Sequence, residues 1–355
     1  MRKRRLALIL AVWAVALVVV LFIFTVKQDE PLASYPLAKF KRALDEPMLE
    51  PRGEGFESLA VYNPAAVVVN DTVYLLYRAQ DKARVSYIGL AHSKDGTRFE
   101  RLSQPVLWPE YDYEKRGIED PRIIVVNETY YMTYTGYDGG RARLCMATSK
   151  NLREWEKLGP VFPEWLWTKS GAILPIKVNG KYVMYFGDSS IWIAYSDDLV
   201  HWSADRGDVV LSPRRNNFDG RLVEPGPPPM LTEEGILLIY NGASWEKGYS
   251  VGWVVFSKED PTKVVKRAEE PILEPEKMWE KLGQVPNVVF AEGLVKFEGT
   301  WMLYYGGADK VIGVALAQGT PFITSPLGIA ITLVIVVAVI IGTAVLLKTY
   351  RRSGS

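Results

Sequence analysis

One strand–turn–strand unit occurs five times between residues 65 and 305, and an internal repeat constrains a fold more than any local propensity does. The copies are Ala65–Tyr77, Ile123–Tyr134, Ile173–Tyr185, Pro229–Tyr240 and Leu294–Tyr305. Each sets β-branched and aromatic residues on both sides of a polar turn, the pattern of a hairpin. The turn residues Asn70, Asn127, Asn179, Glu234 and Glu298 are 57, 52, 55 and 64 residues apart, a period suited to four-stranded propeller blades. A third strand with small residues follows each copy, as in Ile88–Ala91 and Ile312–Ala315. A second repeated element, apolar with proline, appears at Pro47–Pro51, Pro105–Pro109, Pro160–Pro163, Val209–Pro213 and Pro271–Pro275. The last blade has no copy behind it, whereas the chain starts with a surplus one. Pro47–Pro51 is therefore expected to close the ring on the C-terminal blade, leaving no open edge.

Outside the repeat, Leu6–Val26 and Pro326–Leu347 are uncharged runs of 21 and 22 residues, each long enough to cross a bilayer as a helix. Basic residues flank them at Arg2–Arg5 and at Lys348, Arg351 and Arg352, which the positive-inside rule places in the cytoplasm. The expected fold class is thus all-β, a five-bladed β-propeller flanked by an N-terminal and a C-terminal transmembrane helix. The expected organisation is a tail and signal anchor over residues 1–27, an extracytoplasmic propeller over 28–322, a second span over 323–348 and a tail over 349–355. The expected location is the cell membrane, crossed twice, with both termini cytoplasmic.

Without those seven terminal cations, residues 6–347 carry a net charge of about −6, and an acidic body argues against nucleic acid as a partner. Two histidines and one cysteine exclude a Cys/His zinc cluster and a disulfide framework. No metal and no organic cofactor is expected.

In a propeller the innermost strand of each blade lines the channel, so residues at its start converge on one mouth. Blade by blade these are Tyr62–Pro64, Glu119–Arg122, Lys169–Gly171, Glu224–Gly226 and Glu292–Gly293. Asn63, Asp120, Lys169, Glu224 and Glu292 would share a pocket. Facing carboxylates shift each other's pKa, so that one holds a proton while another acts as a base, and glycoside hydrolysis needs that arrangement. Asp before Pro is also a common turn residue, and Glu119 has an alternative role as the partner of an arginine. Trp165, Trp167 and Trp245 are candidates for stacking on sugar.

The segments Gly117–Arg122, Pro227–Pro229 followed by Ile236–Gly242, and Leu303–Asp309 resemble glycoside hydrolase family 130 over roughly residues 45–318. The resemblance implies a five-bladed propeller that cleaves β-mannosides with inversion, as a phosphorylase or a hydrolase. It implies that Asp120 is the general acid and that Asn63, Arg78 and Asp309 hold the mannosyl unit. Arg122, Lys169 and Tyr240 complete the substrate-binding candidates. Phosphorylases resembling this chain hold phosphate with basic residues where it has Phe186-Gly187, Leu222 and Asn241, while Glu224 and Glu292 fall where phosphate would lie. The expectation is a membrane-anchored, inverting β-mannosidase, most naturally of β-1,2-linked oligosaccharides, with Asp120 as acid and either Glu224 or Glu292 as base. The alternatives are an inverting β-mannoside phosphorylase and a glycan-binding propeller without catalysis.

Overall fold

The computed structural model describes residues 40–318. Blade one contains strands Ala60–Val68, Val73–Gln80, Ser86–Ser93 and Glu100–Arg101, and blade two Gly117–Val126, Thr129–Tyr137, Ala142–Ser149 and Glu156–Pro160. A single parallel bridge, Ser86 to Gly117, joins these two blades at their edges. Blade three is built on Ala172–Ile173, Tyr182–Phe186 and Ile191–Ser196, and blade four on Leu222–Pro225, Ile236–Ser244, Gly248–Phe256 and Val264–Arg267. Blade five consists of Val289–Phe297, Thr300–Gly307 and Val311–Gln318. Within each blade the consecutive strands pair antiparallel.

Four of the five repeat turns place both central residues at positive φ: Asn70 and Asp71, Asn127 and Glu128, Asn179 and Gly180, Glu298 and Gly299. That conformation matches the right-handed twist of the flanking strands, and asparagine and glycine tolerate it best. The apolar proline elements all add to the third strand of a blade. Leu107 bridges Ile88, Leu211 pairs with Ile191, Leu273 bridges Val251, and the Val161 amide donates to the Leu144 carbonyl. The surplus copy does the same for blade five, where Leu49 bridges Ile312. The outermost strand there is Lys41–Arg42, paired with Ala315 and Leu316. The N-terminal strand thus completes the sheet of the last blade.

Apolar side chains fill the seams between successive blades. One cluster joins Leu75 and Tyr77 of blade one to Met302 and Tyr304 of blade five, across the closure. Others join Leu76 to Ile123, Ile124 to Met184, and Val183 to Leu238. Inside four blades the repeat tyrosine donates to a buried carboxylate: Tyr77 to Glu57, Tyr134 to Glu114, Tyr240 to Asp219 and Tyr305 to Glu280. Each carboxylate is also paired with a cation, namely Arg101, Lys157, Arg267 and Arg42. Pairing is what makes such burial tolerable.

The membrane expectation is corrected. Among the described residues no helix is long and apolar enough to cross a membrane; the α-helix Met278–Lys281 has 4 residues, against about 20 needed. Leu6–Val26 and Pro326–Leu347, on which the two flanking helices rested, lie outside the described residues, as do the expected domain borders. The flanking helices and the two-pass, extracytoplasmic location are therefore withdrawn.

Closure has a measurable consequence. Arg42 donates to both oxygens of fully buried Glu280 at 2.7 Å and to the Glu274 carbonyl at 2.6 Å. Arg42→Ala leaves that carboxylate without its cation, which should cost about 3–5 kcal/mol in denaturant unfolding. A loss under about 1 kcal/mol would show that the closing strand contributes little.

Candidate active site

The inner strands reach the axis through irregularities at equivalent positions. Pairing slips between Tyr62 and Pro64, between Glu119 and Arg122, and between Ala291 and Gly293. Such bulges turn a side chain out of its strand's alternation. Asn63, Asp120 and Ser170, at the same place in blades one to three, have φ of 48°, 55° and 53°. Left-handed backbone costs a residue with a Cβ roughly 1–2 kcal/mol, somewhat less for Asn and Asp, and here it aims three polar side chains inward.

Asp120 is the hub. It accepts from Asn63 Nδ2 at 2.8 Å and Arg78 Nη1 at 3.1 Å, with Lys169 Nζ 3.6 Å away. Arg78 also donates to Glu119 at 2.6 Å and to Ser86 at 3.0 Å, and it lies 4.7 Å from the Tyr62 ring centroid. Burial alone would raise the Asp120 pKa, but Arg78, Lys169 and the Asn63 hydrogen bond override it and hold the carboxyl well below its usual range. Glu119, sharing Arg78, is raised by burial.

Glu224 and Glu292 stand on blades four and five. Ser170 Oγ donates to one oxygen of Glu224. Burial pushes Glu224 up to about 7, against the pull of nearby Lys169. Glu292 is fully buried, its Oε1 lies 3.0 Å from Arg122 Nη2, and burial raises its pKa well above the carboxylate range. Asp309, on the turn after the second strand of blade five, is lifted by burial to about 6, with Arg78 opposing and Asp120 reinforcing the shift.

Asn63, Arg78, Asp120, Lys169, Glu224, Glu292 and Asp309 are therefore brought together. Arg122 joins them from beneath. Its guanidinium is buried and donates to the carbonyls of Gly226, Pro225 and Asp120 at 2.8, 2.6 and 3.2 Å. Tyr240 is not brought to the axis: its hydroxyl bonds Asp219 inside the blade at 2.6 Å. Trp165 packs on Phe162 and Phe186, whereas Trp167 and Trp245 keep much of their surface in solvent. Two contributors are not among the expected site residues. Ser170 was recognisable by its register with Asn63 and Asp120. Asn241 clamps blade five beside Glu292, exchanging hydrogen bonds of 3.0 and 2.8 Å with the Ala291 backbone, and no sequence pattern marks that contact.

The glycoside hydrolase family 130 model, described as beta-1,4-mannooligosaccharide phosphorylase, matches residues 49–320. A 1,2-beta-oligomannan phosphorylase of Thermoanaerobacter sp. (strain X514) is 44% identical over 79% of this chain and 98% of its own length. A beta-1,2-mannobiose phosphorylase of the same strain is 40% identical over 79% and 97%. A solved structure from work on family members that hydrolyse β-1,2 mannosidic linkages in Candida mannan is 34% identical. It covers 83% of this chain and 98% of its own, with a TM-score of 0.75. Both curated relatives are phosphorylases, which backs that alternative better than the expected hydrolase.

Glu224 makes stability depend on pH. A carboxyl raised from 4.5 to about 7 keeps its proton in the folded chain while the unfolded chain loses one, so its burial carries no penalty below pH 4.5 and an increasing one up to about pH 7. Glu224→Gln should match the wild type in unfolding free energy near pH 4 and exceed it by about 3 kcal/mol at pH 8. An equal difference at both pH values would contradict the assigned shift.

Proposed function

The chain belongs to glycoside hydrolase family 130 and is an enzyme acting on β-mannosides; from that premise we propose that it cleaves β-1,2-linked mannosides with inversion, Asp120 serving as general acid and Glu224 as the base that activates water. One observation carries the choice of water: the two guanidiniums at the axis, Arg78 and Arg122, are already engaged. Arg78 is held by Glu119 and Asp120, Lys169 faces Asp120, and Arg122 is bound to three carbonyls and Glu292. A phosphate dianion would meet Glu224 instead, and the ionised form of that carboxyl repels it at a cost that low polarity enlarges. Glu224 suits the base because Ser170 fixes one of its oxygens and its pKa of about 7 lies near an ordinary working pH.

The acid sits below the base in pKa. The reactive combination, protonated Asp120 with ionised Glu224, is then the minority form of the singly protonated site, and the profile of kcat/KM against pH remains a bell with its alkaline limb near 7. Asn63, Arg78 and Asp309 bind the mannosyl unit in this reading.

Phosphorolysis is the second reading, and the activities of the two phosphorylase relatives favour it. In that case Asp120 keeps its role and phosphate replaces the water and its base. Cleavage of β-1,2-mannobiose in phosphate-free buffer separates the two. Hydrolysis predicts full turnover without phosphate. It also predicts at least a 10²-fold loss in kcat for Glu224→Gln, and a loss of roughly 10²–10⁴-fold for Asp120→Asn. Turnover that appears only with phosphate, yielding mannose 1-phosphate, establishes the phosphorylase.

A further inference from the structure

The seam between blades four and five joins the strands that carry the two axial glutamates. Glu224 pairs with Asn241 across the first two strands of blade four, and residues directly opposite in an antiparallel pair project to the same face. From that strand the fully buried Asn241 side chain reaches into blade five. Its Nδ2 donates to the Ala291 carbonyl at 3.0 Å, and the Ala291 amide donates to its Oδ1 at 2.8 Å. An amide N–H can meet only the carboxamide oxygen, so the orientation of Asn241 is fixed. Ala291 is where the pairing of blade five slips, and Glu292 is the residue that the slip leaves unpaired. The same Ala291 carbonyl lies against Gly226, where a Cβ would stand 3.0 Å from it. One residue of blade five thus touches both the side chain opposite Glu224 and the backbone two residues after it.

We propose that Asn241 is a positioning residue of the reaction: by tying Ala291 to blade four it fixes where Glu224 stands, without touching substrate itself. The innermost strand of a blade has no further strand on its axial side, so backbone groups that point there need another partner. Asn241 takes the place of that strand for Ala291, with one bond given and one accepted, as a neighbouring strand would supply them. Both of its polar atoms are engaged by Ala291, which makes it a support and not a ligand contact. Ser170 fixes one oxygen of the Glu224 carboxyl, but the main chain behind that carboxyl needs its own restraint. Arg122 holds the Pro225 and Gly226 carbonyls from one side, and Ala291, pinned by Asn241, closes the other. A general base has to stay within hydrogen-bond reach of the water it activates, and a displacement of about 1 Å from a remote change can cost roughly 10²-fold in rate.

This inference rests on the reading of Glu224 as the base, and the test separates the two. In the full chain Asn241→Ser is combined with the wild type, with Glu224→Gln and with Asp120→Asn, and kcat and KM are measured on β-1,2-mannobiose in phosphate-free buffer. The shorter serine leaves room for a water that the Ala291 N–H and C=O can bind, so the fold is kept while the fixed geometry is lost. In the wild type kcat should fall by about 10-fold or more, with KM and calorimetric mannose affinity altered by less than about 2-fold. A residue that acts through Glu224 adds nothing once that carboxyl is gone, so in the Glu224→Gln background the further loss should be under about 2-fold. In the Asp120→Asn background the loss of about 10-fold should persist. An unchanged kcat, or an equal loss in all three backgrounds, overturns the positioning role and leaves Glu224 as the base. Mannose affinity that falls as far as kcat does shows that the clamp supports the fold in general, and the proposal fails. Full activity of Glu224→Gln alone, or turnover only with phosphate, overturns the base and this inference with it.

Discussion

The guanidinium of Arg122 is the contact on which the axial site depends. It originates in blade two, takes the carbonyls of Pro225 and Gly226 in blade four, and faces Glu292 in blade five. Three blades thus converge on one cation that is 1% exposed. A buried cation is tolerated only when surrounded by acceptors, and the backbone of the converging inner strands supplies them. Gly226 is close enough to the axis that a Cβ would meet the Ile239 and Ala291 carbonyls at 2.8 and 3.0 Å. Removing the arginine would leave Glu292 buried and three carbonyls unpaired.

Around this anchor, charge is distributed so that the carboxylates differ. Asp120, touched by Asn63, Arg78 and Lys169, keeps its negative charge. Glu224 and Glu292, more deprived of water than compensated by cations, hold protons to higher pH. Groups of one chemical type are pushed apart in pKa by their surroundings; in the resting site the proposed acid, Asp120, is the more acidic group, so the reactive arrangement is the minority protonation form. The strained backbone of Asn63, Asp120 and Ser170 belongs to the same arrangement: local strain of this kind persists where the surrounding structure fixes it and where function needs the aim.

The blades were legible because their turns carry residues that tolerate positive φ and because apolar residues recur at one period. The axial set was legible for the same reason: once the inner strands are in register, the residues at their starts must meet. What the sequence concealed depends on direction or on distance along the chain. Arg122 reads as a pocket residue but turns towards backbone carbonyls, and Tyr240 sits in a family-like motif but points to Asp219. The tyrosines ending each repeat were visible as a pattern, whereas the carboxylates that four of them meet lie about 20–25 residues upstream, three in helical turns too short to show a period. Lys41–Arg42, the strand that completes blade five, is too short to show alternation.

The central claim is attack across the axis from the side opposite the departing sugar, with Asp120 on one blade and the base on another. Proton NMR of the reaction on β-1,2-mannobiose, followed faster than mutarotation, reads it directly. The account predicts that the mannosyl unit is first released in the α configuration. First release as the β anomer would mean retention and would contradict it.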